Sequence, residues 1–93
     1  MMVIVVENAP PRLRGRLTLW LAEVRAGTYV GVYSARTRER IWKETVSLIG
    51  DGSACIVWSA PTDSGFNFEA VGQNRREPAD LDGLMLVKFK PAS

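Results

Sequence analysis

The chain contains no histidine. That absence removes the side chain that titrates most readily near neutral pH, and with it Ser–His and Cys–His nucleophiles and His-ligated metals. A single cysteine, Cys55, excludes an internal disulfide, and its place inside an apolar run marks it as a small buried hydrophobe. Any metal site must then be built from carboxylates and backbone oxygens, a donor set that suits magnesium or manganese. No apolar run approaches the ~18–20 residues that cross a bilayer. The apolar start, Met1 to Val6, lacks the basic flank and cleavage pattern of a signal peptide. The expectation is a cytoplasmic protein without membrane association.

What the chain does have is arginine. Nine of the twelve basic residues are Arg, and most fall in three clusters: Arg12/Arg14/Arg16, Arg36/Arg38/Arg40 and Arg75/Arg76. The planar guanidinium fork matches phosphate oxygens better than the point charge of lysine. With a net charge of only +2, such clustering implies local anion-binding patches on an otherwise balanced surface. A hydrophobic share of 46% against 24% charged residues places the 93 residues among folded chains, as one domain spanning 1–93. A domain this small buries a modest core, so oligomerisation is expected.

The hydrophobic pattern predicts an α+β fold. Met2 to Val6 is a continuous β-branched run, the mark of a strand covered on both faces. Pro10-Pro11 suit a first helical turn. Leu13, Leu17, Trp20, Leu21 and Val24 then form one apolar stripe, which predicts a helix to about Val24, stopped by Ala26-Gly27. A short strand from Thr28 to Tyr33 follows, with Gly31 marking a bulge or a close contact. Ser34 caps a second helix, about Ala35 to Ile49, whose core face is read as Ala35, Trp42, Thr45, Val46 and Ile49. Ser53 to Ser59 is a buried strand. Phe66 to Val71 alternates Phe66, Phe68 and Ala70 with Asn67 and Glu69, a strand with one wet face. The segment from Gly72 to Gly83 is too polar and irregular for an element, and Asp80-Leu81-Asp82-Gly83 reads as a tight turn. Leu84 to Phe89 is a final strand. The order resembles a ferredoxin-like sheet with two helices on one face. Trp20, Trp42, Trp58, Phe66 and Phe68 sit at core periodicity.

Two stretches carry a resemblance: Glu7-Asn8-Ala9-Pro10-Pro11-Arg12-Leu13-Arg14-Gly15-Arg16-Leu17 with its continuation to Gly31, and Asn74-Arg75-Arg76-Glu77-Pro78-Ala79-Asp80-Leu81-Asp82-Gly83-Leu84. Over essentially the whole chain they resemble the CRISPR-associated Cas-two family, in its type I-E, Cascade-linked branch. The resemblance implies a ferredoxin-like homodimer held between dimers of the Cas-one integrase. That complex captures a double-stranded DNA protospacer and inserts it into the CRISPR array. It also implies that catalysis belongs to Cas-one, with no cofactor required by this chain. Contacts to the DNA backbone are implied for Arg12, Arg14, Arg16, Arg75 and Arg76, and Arg36, nearest the start of the second helix, and Asn8 are read as further candidates for the same role. The last strand, Leu84, Met85, Leu86, Val87, Lys88 and Phe89, is implied in dimer or integrase contact.

Read from the residues alone, alternatives stand beside these roles. Arg12 and Arg16 share one flank of the first helix and Arg14 projects from the other, near a helix start that already favours anions. Each arginine is either a phosphate contact or a member of an ordinary salt bridge. Arg75 and Arg76 are expected in a loop, where Glu77, Asp80 and Asp82 are alternative partners. Glu39 and Glu44 offer partners to the Arg36/Arg38/Arg40 cluster. The final strand either pairs in its own sheet or crosses to a partner. Glu7 occupies the position of an aspartate that other branches use as a proposed magnesium ligand. It is the only candidate for a catalytic or metal role, in a metal-dependent endonuclease or endoribonuclease. A salt bridge with Arg12 is the simpler reading.

Overall fold

The computed structural model describes residues 1–72 with their side chains, and strands Arg76–Leu81 and Leu84–Phe89 as backbone. In chain order the elements are β1 (Met2–Glu7), α1 (Pro11–Trp20), β2 (Ala22–Arg25), β3 (Thr28–Gly31), α2 (Ala35–Leu48), β4 (Ser53–Ser59), β5 (Phe66–Val71), β6 (Arg76–Leu81) and β7 (Leu84–Phe89). The first five strands form an antiparallel sheet in the order β2-β3-β1-β4-β5. This is the ferredoxin-like α+β arrangement, extended by β5 at one edge. β6 and β7 pair with each other in a separate two-stranded sheet.

The core lies between the sheet and the helices. Met2, Ile4 and Val6 alternate down the central strand and are buried, with Tyr29, Ala54 and Ile56 on its neighbours. Leu13 and Leu17 close it from α1, and Ile41, Thr45 and Ile49 from α2. The buried Thr45 hydroxyl donates to the Ile41 carbonyl at 2.8 Å, so it brings no unpaired polar group inside. Ser34 caps α2 as its sequence predicts, accepting from the Thr37 N–H at 3.3 Å. Gly31 packs against Leu21, whose side chain occupies the space a Cβ would take.

Four expectations need correction. The first helix ends at Trp20, not Val24. Leu21 turns extended (φ −127°, ψ 156°), and Ala22–Arg25 becomes an edge strand paired to β3. Val24 bulges outward there and is 64% exposed. Gly27 therefore turns a hairpin instead of stopping a helix. Its φ is +80°, and a Cβ would stand 2.7 Å from the Val6 carbonyl oxygen. Second, the supposedly irregular 72–83 segment contains β6, in register with β7 from Arg76↔Phe89 to Leu81↔Leu84. Third, α2 is rotated from the predicted phase: Ile41 is buried, Trp42 half-buried, and Ala35 and Val46 exposed.

The fourth correction matters most for function. Among the described residues β1 is fully covered on one face only: Val3 is half-buried and Val5 39% exposed. Registers place Val30, Val3, Val57 and Phe68 in one row across β3, β1, β4 and β5, with Thr28, Val5, Cys55 and Ala70 beside them. Phe66 and Phe68 thus point away from the helices, not into the core. The polar residues of β5 take the helix side, where Glu69 accepts a hydrogen bond from Trp42 Nε1 at 2.8 Å. The side of the sheet opposite the helices is apolar. Burial there raises the Cys55 thiol pKa.

Candidate nucleic-acid interface

The first helix begins without a side-chain cap. Pro10 stands extended at the N-cap, Pro11 supplies no N–H, and no acid occupies the first turn. The positive end of the helix dipole is thus not offset by a local carboxylate. Arg12, Arg14 and Arg16 are all exposed on this helix.

At about 100° per residue, Leu13 and Leu17 face the sheet and Gly15 lies on the opposite crest. A Cβ on Gly15 would meet nothing within 4 Å. An interior helix glycine costs about 0.5–1 kcal/mol relative to alanine, and packing here does not require it. Its effect is a bare backbone ridge between arginine flanks, which permits close approach by another backbone. Gly15 is a candidate functional position that helix periodicity alone does not mark. The available signal was a glycine inside a regular amphipathic pattern.

The two flanks make different contacts. Arg14 reaches toward β2, with Nη2 4.0 Å from Glu23 Oε2. Arg16 reaches across to α2, with Nη2 2.7 Å from Glu44 Oε1, and its guanidinium lies 6.0 Å from the Trp20 ring centre. Glu44 therefore serves Arg16 and not the α2 arginines expected to use it. Both pairs are half exposed, a class worth about 0–1 kcal/mol. So weak a hold leaves both arginines available to a competing polyanion. Arg12 makes no ion pair among the described residues, and Glu7 does not bridge to it.

On α2, Arg36 and Arg40 precede Glu44 by two turns and one turn, continuing the Arg16 side of the helix layer. Arg40 and Trp20 line the same cleft between the helices. Arg38 turns away, its guanidinium 4.4 Å from the Trp58 ring centre. The structure thus joins Arg12, Arg16, Arg36 and Arg40 along one side, with Arg14 on the far flank of α1. Asn8 is exposed in the turn between β1 and α1, at φ +54°. Arg75 lies outside the described residues. Arg76 opens strand β6 and is not in a loop, and its side chain lies outside the description, as do those of Leu84, Met85, Leu86, Val87, Lys88 and Phe89 in β7.

Glu7 ends β1 opposite Ser53, on the same side of the sheet as Val3 and Val5, and is exposed. Among the described residues no three His, Cys, Asp or Glu side chains gather to hold a metal ion. Magnesium prefers octahedral oxygen coordination. Glu7 alone is one share of that coordination, which one or two carboxylates with water commonly make up. Among the described residues no helix is long and apolar enough to cross a membrane.

The molecule combines an arginine-flanked helix with an apolar sheet face on the opposite side of one α+β layer. The family model described as CRISPR-associated protein (Cas_Cas2CT1978) matches residues 1–86, and the chain belongs to that CRISPR-associated Cas2 family.

Proposed function

We propose that the chain is the homodimeric scaffold of CRISPR spacer acquisition, of the type I-E branch, which grips protospacer duplex by its backbone and bridges Cas-one integrase dimers. The observation that carries this reading is a surface helix showing three arginines around a bare glycine crest, in a chain of this family. Guanidinium groups on phosphates hold a duplex without reading its bases, as a protein that must accept any spacer requires. The apolar sheet face supports a second copy as its cover, because a two-fold pair buries the same patch on both protomers. The helices of both copies then face outward, and the arginine set is doubled. The β6–β7 strands are the proposed contact with the integrase.

A second reading keeps one specific observation. Glu7 shares the apolar side of the sheet, so dimerisation there would bring in a second Glu7 to complete a shared magnesium site. The two readings part on one substitution. Glu7→Ala is expected to leave duplex affinity and spacer acquisition within about twofold of wild type, since the arginines proposed to grip the duplex lie on the helices and removing one exposed carboxylate leaves them in place. Magnesium-dependent cleavage by repurified wild type that vanishes in Glu7→Ala, together with lost acquisition, would establish the nuclease instead.

A further inference from the structure

A cleft of about 300 Å³ opens between the two helices, lined by Trp20, Thr37, Arg40, Ile41 and Glu44. That is the size at which small-molecule sites begin. Ile41 is buried and Trp20 half-buried, so part of the lining is apolar. The Tyr33 hydroxyl donates to the Trp20 carbonyl at 2.6 Å, which ties down the end of α1 that carries the indole. The charges at the cleft do not cancel. Glu44 is taken by Arg16 at 2.7 Å, while Arg40 is exposed and makes no ion pair among the described residues. Thr37 Oγ1 accepts from the Ser34 hydroxyl at 3.2 Å, which leaves its own proton for another acceptor.

An indole beside an unpaired guanidinium and a hydroxyl donor suits a ligand with a π face and an anionic tail. We propose that the cleft takes an unpaired nucleotide, its base stacked on Trp20 and its phosphate held by Arg40 and Thr37. A base inside a duplex shows its edges to the grooves and its faces to its neighbours. Paired DNA therefore uses the arginines and not the indole, whereas an unpaired base has a face to offer. Arg16 links the two sites: it stands on the arginine flank of α1, 6.0 Å from the Trp20 ring centre. A single-stranded flank of a bound duplex thus continues from the backbone track into the cleft. This inference rests on the duplex-binding reading and adds to it a preference for DNA with unpaired nucleotides.

The test compares three labelled DNAs on the full-length protein: a blunt duplex, the same duplex with a short single-stranded flank, and the same flank without bases. The base-bearing and abasic flanks carry equal phosphate charge, so their difference isolates stacking. Wild type is expected to bind the base-bearing flank about tenfold more tightly than the abasic one, with quenching of indole fluorescence. Trp20→Leu should abolish that difference and that quenching, and leave blunt-duplex affinity within about twofold. Its melting curve reports whether the chain stays folded. Arg40→Ala alters an exposed side chain and should lower affinity for the flanked duplex about tenfold, the scale of one charge-assisted hydrogen bond. Equal wild-type affinity for the two flanks, or a difference that persists in Trp20→Leu, overturns the nucleotide cleft and leaves the scaffold reading intact. Displacement of the flank by micromolar nucleoside monophosphate would overturn its assignment to DNA. Wild-type protein that binds none of the three DNAs overturns both readings.

Discussion

Val57→Glu is expected to separate the proposed dimer into folded monomers. Val57 lies mid-row on the sheet face away from the helices, opposite Val3 on one side and Phe68 on the other. In one copy the new carboxylate still reaches water, so the core of Ile4, Leu17 and Ile56 on the other side of the sheet is untouched. In a dimer closed over this face, two carboxylates lose water near one axis, at a cost of several kcal/mol per ion. Each ~1.4 kcal/mol is tenfold in affinity, so dissociation should strengthen by at least about 10³-fold. Light scattering after size exclusion reads the result. Val46→Glu, on the exposed side of α2, is the control and should remain dimeric. A Val57→Glu chain that stays dimeric would move the interface elsewhere.

The second large effect concerns α1. Changing Arg12, Arg14 and Arg16 together to Ala should lower duplex affinity by about 10³-fold or more near 0.1 M salt, because each lost phosphate contact removes roughly a tenfold share of the counterion-release term. Alanine is at least as good a helix former as arginine, so α1 should stay folded. Loss of the Arg16–Glu44 bridge costs about 1 kcal/mol at most. Arg38→Ala should change affinity little, since that guanidinium lies against Trp58. The readout is anisotropy of a labelled duplex, with circular dichroism to confirm helix content. A triple variant that binds like wild type would remove α1 from the interface.

Much of this architecture was legible in the residues, and the misses have physical causes. Ser53–Ser59, Phe66–Val71 and Leu84–Phe89 came out with their observed bounds because alternation and flanking turn residues agree. The first helix was overrun because Leu21 and Val24 fit its periodicity. Only pairing of Ala22 and Glu23 with Val30 and Tyr29 makes that stretch a strand, and periodicity does not show such tertiary pairing. Pro78 and Asp80 disguised β6 in the same way, with β7 overriding local preference. Alternation separates Phe66 and Phe68 from Asn67 and Glu69, but it does not say which side the helices cover. That choice put the aromatics in the core on paper and on the open face in the molecule.

The site was legible as residue types more than as geometry. Arginine clustering and the proline start located α1 and its charge. The partners of those arginines were hidden, since Glu44 lies 28 positions beyond Arg16 and meets it only through helix packing. Glu23 was near Arg14 in sequence, yet its placement on a strand edge beside Tyr29 depended on the hairpin at Gly27. The value of Gly15 emerged only once its crest proved empty.

The most direct measurement is the salt dependence of duplex binding by the wild-type protein, using several unrelated sequences. Neutralising about six phosphates gives a slope near −5 in log affinity against log salt, roughly a 10³-fold fall between 50 and 200 mM, the same for every sequence. A flat slope, or affinities that differ by orders of magnitude between duplexes of equal length, would contradict a backbone grip by guanidinium groups.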